Sequence, residues 1–231
     1  AWLCGNVLCP DKSKQSAFSH ACFRGNFAYL GMALLQNIYN SESVPATAVI
    51  LALVLPLYNI QGVILMTVKG GEGGIHVGKI IKGILKNPMV LAIIAGLPFA
   101  YFHIELPFVV TKSLSYLQVA TSTMALLVVG ASIKLDVIQS NLKMLLRVSG
   151  VKLIVMPAIW GLMAVAAGLA PEQIVTLTVV GGMPAAVNVY IITDKMGGDG
   201  SMACGAVVVT HLVSLFTMTS IVFILRSMGL I

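Results

Sequence analysis

The chain has 231 residues, of which 58% are apolar and 10% charged, with a net charge of +6. Soluble domains carry roughly a quarter of charged residues, so this composition excludes one. Several apolar runs reach the ~20 residues that cross a bilayer, and they do not alternate as barrel strands do, so the chain reads as an all-α polytopic membrane protein with no role for nucleic acid.

Residues 1–9 form an apolar piece too short to span. Residues 11–24 read as a polar, basic connector carrying Lys12, Lys14 and Arg24, so 1–25 is assigned to a cytoplasmic connector. The first membrane element covers 25–39 and is short and interrupted by Gly25, Asn26 and Gly31. After a turn at 40–43, Pro45 opens a second span to 68, at a position where proline is tolerated; it contains Pro56, Tyr58, Asn59 and Gln61. Residues 69–87 read as a glycine-rich, basic, mobile cytoplasmic loop. The third and fourth spans, opened by Pro88 and Pro107, fill 88–133. The fifth runs over 144–169 with Pro157 inside, the sixth over 171–194, and the seventh over 201–225. Residues 134–231 thus hold the last three spans.

The sixth span carries the most telling stretch, Gly181-Gly182-Met183-Pro184-Ala185-Ala186-Val187-Asn188-Val189-Tyr190. Pro184 removes a backbone donor and clashes with the preceding turn, so carbonyls near Val180 lose their helical partners. In hydrocarbon such groups are tolerated only where protein or a water-filled cavity satisfies them. Broken helices near the midplane are where secondary transporters place substrate; the plainer alternative is a proline kink in a packed helix. The early element with Gly25 and Asn26 is a weak second copy that crosses in the opposite direction. Paired interruptions point to inverted repeats. Three spans precede the late copy and none precedes the early one, so the chain is expected to be truncated at its N-terminal side by about three spans, which fits its start at Ala1.

Basic residues give the orientation. Lys12, Lys14, Arg24, Lys69, Lys79, Lys82, Lys86, Lys134, Lys143, Arg147, Lys152 and Lys195 fall on one side, and Lys112 and Arg226 on the other. The crowded side is cytoplasmic by the positive-inside rule, which leaves the carboxyl end outside.

Other patterns weigh less. Residues 73–79 read G-x-x-x-x-G-K, but Ile80 stands where a phosphate loop needs Ser or Thr. Gly197-Gly198-Asp199 has no facing membrane carboxylate and reads as a helix-ending turn. Cys4, Cys9, Cys22 and Cys204 lack metal-ligand spacing, so no metal and no cofactor are expected. Asn26, Asn59 and Asn188 are either interhelical hydrogen-bonding residues or site residues, and the interruptions favour the second for Asn26 and Asn188. His211, with Thr210 and Ser214, lies mid-span, where an ionisable group is a functional candidate for ion or proton coupling; the rival is a neutral imidazole bonded to a nearby carbonyl. No basic residue is expected deep in the membrane, so substrate binding should be weak and dominated by backbone groups.

Gly182 to Tyr190, followed by Lys195-Met196-Gly197-Gly198-Asp199, closely resembles the last crossover segment of the auxin efflux carrier family, which includes bacterial malate and malonate permeases. Arg24-Gly25-Asn26-Phe27 with Leu30-Gly31 resembles its first crossover. Val54-Leu55-Pro56-Leu57-Tyr58-Asn59, Lys86-Asn87-Pro88 and the stretch 127–132 also match. The resemblance covers nearly the whole chain. It implies seven spans of a ten-helix, inverted-repeat, crossed-helix transporter. Spans one, two, five, six and seven would form the transport core (26–68 and 134–231) and spans three and four a scaffold, working by an elevator-like motion, with a homodimer through the scaffold. It also implies substrate contact at Asn26 and Asn188, with Pro184 at the crossing. Gly25 stands where plant carriers have proline, so the resemblance does not extend to an auxin-type substrate.

The expected function is a secondary transporter for small organic anions, carboxylates such as malate or malonate, in the bacterial inner membrane. Half-helix N-termini and freed N–H groups attract anions, and Asn amides donate to carboxylates. Gly25, Asn26, Asn59, Pro184, Asn188 and Tyr190 are the candidate substrate-binding residues. The alternatives are a sodium-coupled symporter of the bile-acid type and a seven-helix receptor. An enzyme is not expected, for want of a catalytic pair.

Overall fold

The computed structural model describes residues 2–39, 45–70, 78, 88–102, 104–131 and 135–231. The turn at 40–43 and nearly all of the 69–87 loop, including the G-x-x-x-x-G-K stretch, lie outside the described residues, as do residues 132–134.

The described residues form helices and no strand. In chain order they are α1 (Trp2–Leu8), α2 (Gln15–Phe23), a π-helical turn (Phe27–Gly31) continuing into α3 (Met32–Tyr39), α4 (Pro45–Gly70), α5 (Pro88–Tyr101), α6 (Phe108–Ala131), α7 (Leu135–Ser140) and α8 (Leu142–Gly150). A second π turn (Val151–Val155) links α8 to α9 (Met156–Ala166), and α10 (Pro171–Gly182), α11 (Val187–Lys195) and α12 (Gly200–Ser227) follow. Among the described residues, two continuous helical stretches are long and apolar enough to cross a membrane: Leu142–Ala166 and Gly200–Ser227, with mean hydropathies of 1.8 and 2.1. The first keeps Pro157 near the start of α9, and the π turn just before it absorbs the missing donor.

The stretch read as a polar connector is largely a helix. In α2 only Gln15 escapes burial; Ser16, Ser19 and His20 are as enclosed as Phe18 and Phe23. A nine-residue piece with two serines and a histidine looks like a loop by composition, but it packs against other helices. His20 Nδ1 lies 3.1 Å from Thr193 Oγ1. The loop before it, around Asp11, is exposed, and hydrogen bonds from the Ser13 hydroxyl and amide hold the Asp11 carboxyl below its usual range.

Two cores lie on either side of a central crossing. One packs Phe18 and Cys22 of α2 with Leu145, Val189 and Met202. The other packs Phe27 and Leu35 with Tyr58, Val179 and Met218. The first half of each interrupted helix therefore shares a core with the second half of the other. Cys4, Cys9, Cys22 and Cys204 form no disulfide with one another, and three of them are buried. The described side chains of α5 and α6 are exposed, among them Leu97, Phe99, Phe108 and Leu127, and form a broad apolar surface.

Candidate functional site

The two interruptions meet. Residues 24–26 and 183–186 run antiparallel, paired at Gly25 and Ala185. The Asn26 N–H donates to the Pro184 carbonyl at 2.7 Å, and the Ala186 N–H donates to the Arg24 carbonyl at 3.0 Å. The local cause of the late break is Pro184. The groups it frees find distant partners: Lys152 Nζ donates to the Gly181 carbonyl at 2.9 Å, and the Ala185 N–H donates to Thr210 Oγ1 at 3.0 Å. The accounting that buried backbone requires is thus met across the crossing rather than along either helix.

Beyond the crossing each helix restarts, at Phe27 and at Val187. The first N–H groups of a helix have no acceptor within it, and they carry the positive end of its dipole. Both restarts begin beside the same antiparallel pair, so two such ends converge. Asn26 leads into the first restart, its carbonyl accepting from the N–H groups of Leu30 and Gly31. Asn188 sits in the first turn of α11 rather than mid-helix, half-buried. Its side chain has no hydrogen-bond partner among the described residues.

The other sequence candidates divide. Asn26 Nδ2 lies 3.4 Å from His211 Nε2, and His211 Nδ1 lies 2.7 Å from the Val207 carbonyl. A carbonyl only accepts, so Nδ1 carries the proton, and Nε2 is left to accept from the Asn26 amide. Thr210 joins the crossing by accepting from Ala185 while donating back to the Ala206 carbonyl. Ser214 bonds the His211 carbonyl of its own helix. It lines, with Leu34 and with Met183 and Pro184 of the crossing itself, a cavity of about 420 Å³. The polar content of α12 is mostly of this self-satisfied kind: Thr219 and Ser220 also bond carbonyls four residues back. Tyr190 packs against the first core. Asn59 is buried on α4 and holds Arg24, which donates to Asn59 Oδ1 at 2.7 Å and to the Tyr58 carbonyl at 3.3 Å.

Two residues overturn the expectation that no basic group lies deep. Lys152 is 0% exposed and Arg24 is 2% exposed, both beside the crossing. Neither has a carboxylate partner among the described residues, where the ion pair is Lys14 with Asp11. Lys152 sits within the apolar run 151–155 before Pro157, and that placement was the available signal; a reading by loop charge assigned it to a span end. Arg24 adjoins Gly25-Asn26, and reading by loop charge puts it in the connector for the same reason. With these two withdrawn, the basic residues on the crowded side number ten against two. His20 was also missed. Its Nε2 is buried with no partner among the described residues.

A larger cavity, about 660 Å³, lies between α9, α10 and α12. Its lining is apolar apart from Thr178, Thr217 and Ser220, so it lacks the convergent polar groups of the crossing. No cluster of three or more His, Cys, Asp or Glu able to hold a metal occurs among the described residues.

Two interrupted helices thus meet through an antiparallel pair. The family model described as membrane transport protein matches residues 1–222. The chain belongs to this family, that of the auxin efflux carriers. It is also 22% identical over 207 residues to a protein of Rhizobium meliloti (strain 1021) named "Putative malonate transporter". The match takes in 88% of this chain and 65% of that protein, so the chain spans about two thirds of that relative's length. No solved structure matches the chain. As a member of a membrane transport family with long apolar helices, the chain is a membrane protein.

Proposed function

We propose that the protein carries a small organic anion, a dicarboxylate such as malonate or malate, bound at the crossing. One observation carries the reading. Two helix restarts, two asparagines and two buried cations, without carboxylate partners among the described residues, surround a single antiparallel pair. Burying an unpaired cation costs several kcal/mol, and an anion arriving at the crossing offsets that cost. The relative named for malonate agrees with it. Asn188, half-exposed and unpartnered, donates to one carboxylate, and Asn26 lies on the opposite arm. His211, bonded to Asn26, is placed to sense the substrate and to couple it to a proton. Spans three and four, α5 and α6, act as a scaffold along which the crossed core slides, and their exposed apolar faces meet lipid and a second subunit.

The test is uptake of radiolabelled malonate into proteoliposomes holding the purified protein. Saturable uptake that malate competes for is expected. Uptake no faster than in empty liposomes, for both malonate and malate, would remove the reading.

The orientation has support from packing. Lys14 Nζ donates to Asn141 Oδ1 at 2.9 Å and Arg147 to the Leu8 carbonyl at 2.9 Å, so the basic ends of two early and late segments gather on one side. We expect Lys195→Cys, on that side, to react with an impermeant thiol reagent only after cell lysis, and Glu172→Cys to react in intact cells. The reverse pattern would invert the assignment.

A further inference from the structure

At the carbonyl end of a broken helix, transporters of crossed architecture hold their coupling cations with unwound backbone oxygens and half-helix C-termini. In this chain the corresponding oxygen is already occupied. The Gly181 carbonyl, near the end of α10, accepts from Lys152 Nζ at 2.9 Å. The ammonium reaches it from a π turn on a different helix, and the side chain is fully enclosed. It also touches the opposite arm: a Cβ added at Gly25 would lie 3.1 Å from Nζ and 3.4 Å from Cε. One ammonium therefore spans the two interruptions, and glycine at 25 is what leaves room for it. A proline there, with ring carbons to place, would displace the ammonium.

We propose that Lys152 is a tethered cation, standing permanently where a coupling ion such as sodium would bind between the interrupted helices. The proposal rests on the transport reading and sharpens it: substrate binds a site whose cation is covalently part of the protein, so carriage needs no sodium. Lys152 acts through the Gly181 backbone and its charge, and is a positioning residue. Arg24, His211 and, on α2, His20 and Cys22 are the other ionisable groups near the crossing. Arg24 is engaged by Asn59 and Tyr58 and His211 by Val207 and Asn26, so neither takes the Gly181 carbonyl.

The experiment compares wild type, Lys152→Ala and Lys152→Met in proteoliposomes and in detergent. Wild-type malonate uptake should be the same in sodium, potassium and choline media. Lys152→Met fills the space without the charge, and Lys152→Ala vacates it. Both should lose about tenfold to a hundredfold in uptake, the consequence of losing a charge-assisted hydrogen bond at the site. Propylammonium has the three carbons and the nitrogen that alanine lacks. It should restore most of the uptake of Lys152→Ala and none of Lys152→Met, whose side chain blocks the space. Propylammonium should likewise raise the unfolding midpoint of Lys152→Ala in detergent, saturably, and leave wild type and Lys152→Met unmoved. The stability arm needs no substrate, so absent malonate uptake in wild type would sink the substrate reading alone. A sodium requirement in wild type, full uptake by Lys152→Met, or indifference of Lys152→Ala to propylammonium in the stability arm would overturn the tethered cation.

Discussion

Asn188→Asp should abolish most substrate binding while leaving the fold intact. Asn188 occupies the first turn of α11, where a carboxylate interacts favourably with the helix dipole by about 0.3–1 kcal/mol. The side chain has no partner among the described residues, so no internal hydrogen bond is lost. A stability measurement in detergent should therefore show no loss. The binding measurement should behave oppositely, because the new carboxylate stands beside the site of an anion. Asn188→Ala removes only the donor, and its affinity for malonate should fall by about 1–3 kcal/mol, roughly tenfold to a hundredfold. Asn188→Asp should be worse than that, since repulsion adds to the lost hydrogen bond. A cationic ligand would reverse the order, as an added carboxylate favours a nearby positive charge. Equal affinities in all three proteins would leave Asn188 as a packing residue and move the site elsewhere on the crossing.

Gly181→Leu should have the largest effect on the fold. The backbone of α10 approaches α9 so closely at this point that even a Cβ would lie 3.1 Å from two ring atoms of Trp160 and 3.2 Å from the Pro157 Cα. The Pro157 atom belongs to backbone and cannot rotate away. The same closeness recurs along the pair, where a Cβ at Gly161 would lie 2.8 Å from Thr178 Oγ1. Small residues let membrane helices approach in this way. Gly181→Ala should cost about 1–3 kcal/mol by overpacking, and Gly181→Leu more. Gly96→Ala, in the middle of α5, supplies the contrast, because a Cβ there meets nothing within 4 Å. In that helix interior alanine should stabilise by about 0.5–1 kcal/mol. Thermal unfolding in detergent reads both signs, and a neutral Gly181→Leu would mean that α9 and α10 part more easily than their packing implies.

Gly181 sets the distance between α9 and α10, and through its carbonyl it fixes Lys152. The half-buried Asn188 side chain has no hydrogen-bond partner among the described residues. The pairing of residues 24–26 with 183–186 joins the two cores, so any motion of one interrupted helix is transmitted to the other through two backbone hydrogen bonds. Thr210 anchors that pair to α12 by its bond from Ala185, which places His211 of the same helix turn within reach of Asn26.

The sequence by itself determined the breaks and the class of protein. A proline lacks a donor and clashes with the turn before it whatever surrounds it, so Pro184 between two glycines and an asparagine marks an interruption wherever the chain folds. Long apolar runs likewise need no partner to be read, and the motif around Gly182 to Asp199 carried the family. The positions of Lys152, Arg24 and Asn59 were decided only by the tertiary structure. A lysine at the edge of an apolar run can extend its four-carbon stem toward water or turn inward, and the choice depends on whether an acceptor awaits it. The acceptor is the Gly181 carbonyl, freed by a proline on another helix. Arg24 follows the same logic through Asn59, which read as a site candidate and proved to be the residue that holds the guanidinium. Helix α2 was illegible for a related reason: its serines and histidine are polar by composition, and only packing against α4, α11 and α12 shows that they are enclosed. Local chemistry says where a helix must break, whereas the fate of the groups that the break releases is settled by whichever distant side chains the fold brings to them.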